Sequence, residues 1–150
     1  MSALVGADEF LSDAERQRVK EAVRKAEALT SGEVRVHLDE TIEEGVLDHA
    51  AYVFEELGMH RTAERNGVMI YVSVPSHRVA VIGDSGIHAR LEQGFWQEVL
   101  DEIIVHFRQG RYADGLCAGV QRVGERLAKH FPRSSNDVNE LDDDISIGRR

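Results

Sequence analysis

Apolar and polar positions alternate with two different periods along the chain, and the first period to appear is helical. Ser12 and Glu15 are spaced as in a capping box, in which each side chain satisfies the backbone amide of the other. Val19 and Val23 then recur at helical spacing. The pattern predicts a helix that begins at Ser12 and ends near Leu29.

A strand is predicted next, because residues 33–39 alternate strictly between apolar and polar side chains. Val34, Val36 and Leu38 fall on one face, and charged or polar residues fall on the other. A second helix is predicted over residues 46–57, where apolar residues return to helical spacing.

Two more strands follow this helix. Residues 67–74 form a nearly continuous apolar run, which is typical of a central strand covered on both faces. Residues 78–83 form the next strand, and so short a connection makes the two antiparallel. The strand at 33–39 reaches the one at 67–74 through a helix, so that pair is predicted to be parallel.

The second half of the chain is predicted to be helical. One long helix is expected from about residue 89 to 109 and another from about 113 to 131, on the spacing of their apolar residues. Residues 133–150 contain many acidic and few apolar residues, so we expect a tail that is extended on the surface or mobile. The prediction is one α/β domain at 1–132 followed by an acidic tail at 133–150.

The strand directions predict a cluster of oxygen-bearing side chains at one edge of the sheet. Two parallel strands begin at that edge and the antiparallel strand ends there, which brings Glu33, Asn66 and Asp84 together. Carboxylate and amide oxygens are the ligands that Ca²⁺ and Mg²⁺ prefer, with water completing the shell. Asp101 and Glu102 are reserve ligands if the following helix packs across this edge.

The same residues also have simpler interpretations. Glu33 can cap a loop and Asp84 can form an ordinary Asx turn. The turn at 83–86 resembles a serine-hydrolase segment with Ser85 as the nucleophile, but no aspartate stands three residues before His130 to complete a triad. The seven histidines are too far apart for a helical zinc pair and are expected mostly on the surface. We therefore assign no catalytic residue.

Charge and composition narrow the classes of partner. The chain has 27 acidic and 18 Lys or Arg residues, for a net charge of −9, which disfavours nucleic acid and anionic membranes as partners. The amino terminus lacks the pattern of a signal peptide, and no apolar run reaches the roughly 18 residues of a membrane span. We expect a cytoplasmic protein in which the single cysteine, Cys117, is a buried and inert thiol.

Four segments of the chain carry recognisable motifs. They are Ser31-Gly32-Glu33-Val34-Arg35-Val36, Arg65-Asn66-Gly67-Val68-Met69-Ile70-Tyr71-Val72, Arg78-Val79-Ala80-Val81-Ile82-Gly83-Asp84, and Phe107-Arg108-Gln109-Gly110-Arg111-Tyr112 with Gly115-Leu116. In this order and at these distances they resemble the TPM domain, the domain of the thylakoid acid phosphatase and photosystem II repair proteins. Each motif is moderately specific, and the four together are strong. The resemblance extends from about residue 10 to 131.

The resemblance implies a Rossmann-like α/β/α sandwich with a small mixed sheet. It also implies divalent-cation binding at the sheet edge, with Glu33 and Asp84 at the matching acidic positions. Acid phosphatase activity is attributed to some members, but no phosphatase nucleophile motif is visible here. Many members carry a signal peptide and a membrane or glycine-rich tail, so this chain resembles the stand-alone cytosolic type. Residues 138–145 look like a feature of that subgroup, which favours docking of the tail.

Three functions follow, in order of preference. The first is a divalent-cation-binding domain, for Ca²⁺ or Mg²⁺, with a regulatory or interaction role and an unknown protein partner. The second is a protein-interaction module without metal, using the acidic tail or the loop at 59–66. The third is a metal-dependent acid phosphatase, with Asp84, Asp101 or Glu102 as the only available bases.

Overall fold

The computed structural model describes residues 6–40, 45–133 and 145–148 of the chain. Within these ranges there are six helices, four strands and a short 3-10 turn at Met59–Arg61. The helices are α1 (Ala7–Phe10), α2 (Asp13–Glu27), α3 (Val46–Glu56), α4 (Ser85–His88), α5 (Gln93–Phe107) and α6 (Tyr112–His130). The strands are β1 (Glu33–Asp39), β2 (Gly67–Ser73), β3 (Arg78–Gly83) and β4 (Ser146–Gly148).

The four strands form one mixed sheet in the order β3-β2-β1-β4. Strands β1 and β2 are parallel, with Glu33 opposite Gly67, and β2 and β3 are antiparallel, with Val68 opposite Gly83. Both pairings are as predicted, and the helical crossover and the four-residue connection at 74–77 are the physical reasons for them.

Helices cover both faces of the sheet and make it the middle layer of three. Val36, Ile70 and Leu116 belong to the larger core, which packs one face of β1 and β2 against α2, α5 and α6. Tyr71 and Phe54 belong to the smaller core, where α3 covers the other face. The arrangement confirms the predicted Rossmann-like α/β/α sandwich with a small mixed sheet.

The start of α2 is the predicted capping box. The Glu15 amide donates to the Ser12 hydroxyl at 3.2 Å, and the Ser12 amide donates to the Glu15 carboxylate at 2.9 Å. Such a cap contributes about 1 kcal/mol. The predicted helix is correct in position, and its regular part ends at Glu27.

The predicted helix at 89–109 begins too early. The chain forms the four-residue helix α4 over Ser85–His88, and α5 begins only at Gln93. Gly86 explains the local path, since a Cβ there would lie 2.1 Å from the carbonyl oxygen of Glu64. Leu91 is buried although it precedes α5, which is why the apolar spacing extended the prediction backwards.

Strand β4 is a feature that the sequence analysis did not predict. Ser146, Ile147 and Gly148 pair in parallel with His37, Leu38 and Asp39 of β1. Three residues after an acidic run give no hydrophobic period, so nothing in the pattern indicated a strand. The acidic residues of 134–144 lie outside the described residues. The predicted boundary between the domain and the acidic tail, at 132 and 133, stays a prediction.

Candidate functional site

The three predicted ligands Glu33, Asn66 and Asp84 lie together at one edge of the sheet. Their exposed fractions are 3%, 1% and 7%. The Asp84 amide donates to the Gly67 carbonyl at 3.0 Å, and the Glu33 amide donates to the Asn66 carbonyl at 3.4 Å. Glu33 and Asp84 therefore flank Gly67 on its two neighbouring strands.

Gly67 brings a further oxygen to this edge that the sequence did not indicate. A Cβ at Gly67 would lie 2.7 Å from the carbonyl oxygen of Met59, so the 3-10 turn packs directly on the strand. Only a residue without a side chain allows this close approach. The Met59 carbonyl thus adds a backbone oxygen to the predicted set.

Asp84 is held by an arginine. Arg65 donates from Nε to Oδ2 at 2.7 Å and from a terminal nitrogen to Oδ1 at 3.0 Å, while the Ser85 amide donates to Oδ1 at 2.7 Å. The hydrogen bond to Asp84 raises the pKa of Arg65. The arginine side chain is 51% exposed, whereas the aspartate side chain is 6% exposed. Asp84 is thus the buried partner of this ion pair, and Arg65 lies at the surface.

Asn66 is also engaged by its surroundings. Its side-chain amide donates to the Ser31 hydroxyl at 3.2 Å and to Glu64 at 3.4 Å, and the Ser31 hydroxyl donates to the same Glu64 oxygen at 2.7 Å. Its backbone amide donates to the Thr62 hydroxyl at 3.1 Å. These bonds fix Asn66 at the start of β2.

Asp101 and Glu102, the predicted reserve ligands, make their contacts elsewhere. Asp101 is exposed and accepts a hydrogen bond from Gln97 at 2.8 Å within α5. Glu102 lies 3.6 Å from Arg122 of α6. Both carboxylates are therefore engaged along α5 and α6.

The donors at the sheet edge suit a hard cation in chemistry, but they are not a preformed cage. Within the described ranges, no group of three or more His, Cys, Asp or Glu side chains is placed to hold a metal ion. Two carboxylates, an amide and a backbone oxygen are the oxygen donors that Ca²⁺ or Mg²⁺ takes. Both Asp84 oxygens accept hydrogen bonds from Arg65, so a cation at Asp84 would be repelled by the guanidinium unless Arg65 moves away.

A second polar cluster, which the sequence analysis missed, lies at the opposite end of β1. Oδ2 of Asp39 lies 3.0 Å from Nε2 of His49 and 3.6 Å from Nε2 of His37. The His37 ring stacks on Tyr71 with their centroids 5.6 Å apart. We call these four residues the His37–Asp39 cluster.

Strand β4 closes the His37–Asp39 cluster. Nδ1 of His37 lies 2.8 Å from the Ser146 hydroxyl, and a Cβ at Gly148 would lie 2.9 Å from Nε2 of His37. Burial lowers the pKa of His37, and the nearby Asp39 only partly opposes this effect. The expectation that the histidines lie mostly on the surface is wrong for His37, which is 4% exposed.

One sequence signal for the cluster was present, since His37 and Asp39 stand two apart on the polar face of a predicted strand. The contact with His49 was not visible, because it depends on how α3 packs after the chain leaves β1.

Cys117 is partly buried in α6 and forms no disulfide. Burial raises the pKa of its thiol, which keeps it protonated at neutral pH.

The fold and both clusters can now be compared with known proteins. Residues 5–126 match the model of the TPM domain. The chain belongs to the TPM domain family. No curated protein sequence matches it.

Solved structures that are similar to this TPM domain include the following two. The NMR structure of the BA42 protein from the psychrophilic bacterium Bizionia argentinensis is 41% identical with a TM-score of 0.88, and the match covers 95% of this chain and 98% of that one. The N-terminal domain of a protein from P. gingivalis is 22% identical with a TM-score of 0.64, covering 87% and 85%. The second likeness supports the fold alone.

No helix of this TPM domain within the described residues has the length and apolar character to cross a membrane.

Proposed function

We propose that this TPM domain binds a divalent cation, Ca²⁺ or Mg²⁺, and that binding serves a regulatory or interaction role without turnover. The ligands would be Glu33, Asp84 and Asn66, with water completing the shell. The observation that supports this most is the strand register, which buries two carboxylates on either side of Gly67. Buried carboxylates are costly unless a positive charge or hydrogen bonds compensate them.

Arg65 supplies such a positive charge in the absence of a cation. Its guanidinium neutralises Asp84, and its side chain is half exposed, so it can turn into solvent at small cost. Ion pairs with an exposed partner contribute about 0–1 kcal/mol. We propose that a cation and Arg65 compete for Asp84. The arginine therefore lowers the affinity of the site for the cation.

The phosphatase alternative gains less support from the geometry. It requires a base close to the metal, and the contacts of Asp101 and Glu102 lie along α5 and α6. No described contact joins either of them to Asp84. The enzyme hypothesis is tested directly by a panel of phosphoesters supplied with Mg²⁺, Ca²⁺ and Mn²⁺.

The metal-free interaction module stays a prediction, as do a protein partner and a cytoplasmic location. The structure changes how the module is tested. A truncation after residue 132 would remove β4 and uncover the edge of β1, so lost binding would not identify the acidic tail. Neutralising substitutions within residues 137–144, with 145–148 kept, test the tail without removing the strand.

The test of cation binding is thermal unfolding of the full chain with Ca²⁺ or Mg²⁺ and with a chelator. At a free concentration ten times the Kd, binding adds about 1.4 kcal/mol and raises the Tm by roughly 3–6 °C. The double variant Glu33→Ala with Asp84→Ala should lose this shift.

Two controls limit the interpretation. Glu55→Ala removes an exposed carboxylate from the last turn of α3 and should keep the full shift. Asp101→Ala should also keep the full shift in Tm. A smaller shift in this variant would show that Asp101 is a ligand of the cation. A double variant that shifts as much as the native chain contradicts the site, whatever its starting stability.

A further inference from the structure

We propose that an open pocket at the start of β3 binds an organic anion with an apolar body, such as a medium-chain carboxylate. The pocket has a volume of about 490 Å³. It includes Arg78, the first residue of β3, whereas Gly83 at the other end of that strand adjoins Asp84. The pocket and the proposed cation site are therefore at opposite ends of β3.

The floor of the pocket is apolar. It consists of Val46 from α3, Val79 from β3, and Ile104 and Phe107 from α5. Phe107 is largely buried in the main core, while the other three are partly exposed. Ligand pockets typically have such walls with a few polar groups at the mouth, and volumes of about 300–1,000 Å³. This floor would take a hydrocarbon chain or ring.

The polar residues of the pocket are two arginines and one histidine. They are His77, Arg78 and Arg108, all of which are exposed, and none of the described residues that line the pocket is acidic. In a chain with net charge −9, this is a local reversal of sign. Neither arginine forms an ion pair within the described ranges. A ligand carboxylate is the complementary charge for this rim, because guanidinium groups bind carboxylates with paired hydrogen bonds.

His77 has a fixed place beside the pocket. Its ring packs 5.1 Å from that of Tyr112 and 6.0 Å from that of Phe10. Its Nδ1 lies 3.5 Å from the Tyr112 hydroxyl. The aromatic neighbours thus hold one basic group of the rim in position before any ligand arrives.

Each arginine, considered alone, can also be explained by its place in the fold. Arg108 caps the C-terminus of α5, where a cation is favourable, and Arg78 begins an edge strand, where a charge discourages pairing with other chains. Neither explanation accounts for an apolar floor between two arginines, in a pocket whose described lining contains no acidic residue. The combination favours an amphipathic anion.

The test is a titration of decanoate into the full ¹⁵N-labelled chain, followed by amide chemical shifts. We expect saturable shifts at 46, 77–79 and 104–108. Arg78→Gln with Arg108→Gln should weaken binding by about 4- to 25-fold, on the basis of roughly two- to fivefold for each exposed charge pair. Both side chains are exposed, so the double variant should keep its fold.

The controls separate charge from apolar contact. Arg24→Gln removes one exposed positive charge on α2, away from the pocket, and should leave decanoate binding unchanged. Decan-1-ol should bind more weakly and ignore the arginine substitutions, and acetate should give no saturable shifts. Shifts that map elsewhere overturn the proposal, for example to a second pocket between α2 and α6 that Ala22 and Cys117 line. So does a double variant that binds decanoate as the native chain does.

Discussion

The sheet has a buried aspartate at each end, Asp84 where β3 ends and Asp39 where β1 ends. Their exposed fractions are 7% and 2%, so burial alone hardly separates them. Their partners do. Asp84 is held by Arg65, whose side chain is 51% exposed, whereas Asp39 lies beside His37 and His49, whose side chains are 5% and 22% exposed.

The comparison suggests what makes a buried carboxylate available for binding. At Asp84 the compensating charge lies on a flexible, half-exposed chain, so a ligand can replace it without opening the core. At Asp39 the neighbours are rings packed under α3 and β4, and replacing them would mean moving an element. We infer that the first aspartate serves binding and the second serves stability.

The largest effect is expected from Asp39→Ala. Removing one member of a buried polar cluster leaves the others without their partner, so the free energy of unfolding should fall by about 3 kcal/mol. The cation-dependent shift in Tm should persist, because the proposed ligands are at the other end of the sheet. Urea unfolding measures the free energy, and thermal unfolding with and without Ca²⁺ measures the shift in Tm.

Two further variants sharpen this prediction. Asp39→Asn keeps the size and one oxygen, so it should lose less stability than alanine does. Glu55→Ala changes an exposed carboxylate and should stay within about 0.5 kcal/mol of the native chain. If the Asp39→Ala protein were as stable as the native chain, the inference that Asp39 serves stability while Asp84 serves binding would be wrong.

A smaller effect is expected from the pH dependence of His37. Burial lowers its pKa below the ordinary 6.5. As the pH falls below that value, the unfolded chain takes up a proton before the folded one, so stability should decline. Asp39, His49, Arg35 and Tyr71 face the ring, and Asp39 moderates the effect.

His37→Gln should flatten this part of the stability–pH curve. The exposed His88→Gln should leave the slope as it is in the native chain. Equal slopes in all three proteins would show that the titration of His37 is not linked to folding.

The sequence was sufficient for three of the four strands, because β1, β2 and β3 have strong local patterns and short or helical connections. The short turn after the apolar run at 67–74 makes β2 and β3 antiparallel, and the helical crossover makes β1 and β2 parallel. These two pairings place Glu33 and Asp84 on either side of Gly67. The ion pair between Arg65 and Asp84 was not predictable, because Arg65 itself has a left-handed backbone, with φ of 52°, and this sets the direction of its side chain.

The missed features all arise from contacts between distant segments. Strand β4 has three residues and is stabilised by pairing with β1, which no local period reveals. The position of α4 depends on the close approach of the Glu64 carbonyl to Gly86. The His37–Asp39 cluster depends on α3 and β4 meeting over β1.

The most direct test of the central claim is a calorimetric Ca²⁺ titration of Arg65→Gln beside the native chain. If the arginine competes with a cation for Asp84, the variant should bind about two- to fivefold more tightly, since it no longer has the exposed pair to break. Arg24→Gln carries the same change in net charge and should match the native chain. Equal or weaker binding by Arg65→Gln, or none in either protein, would contradict the account.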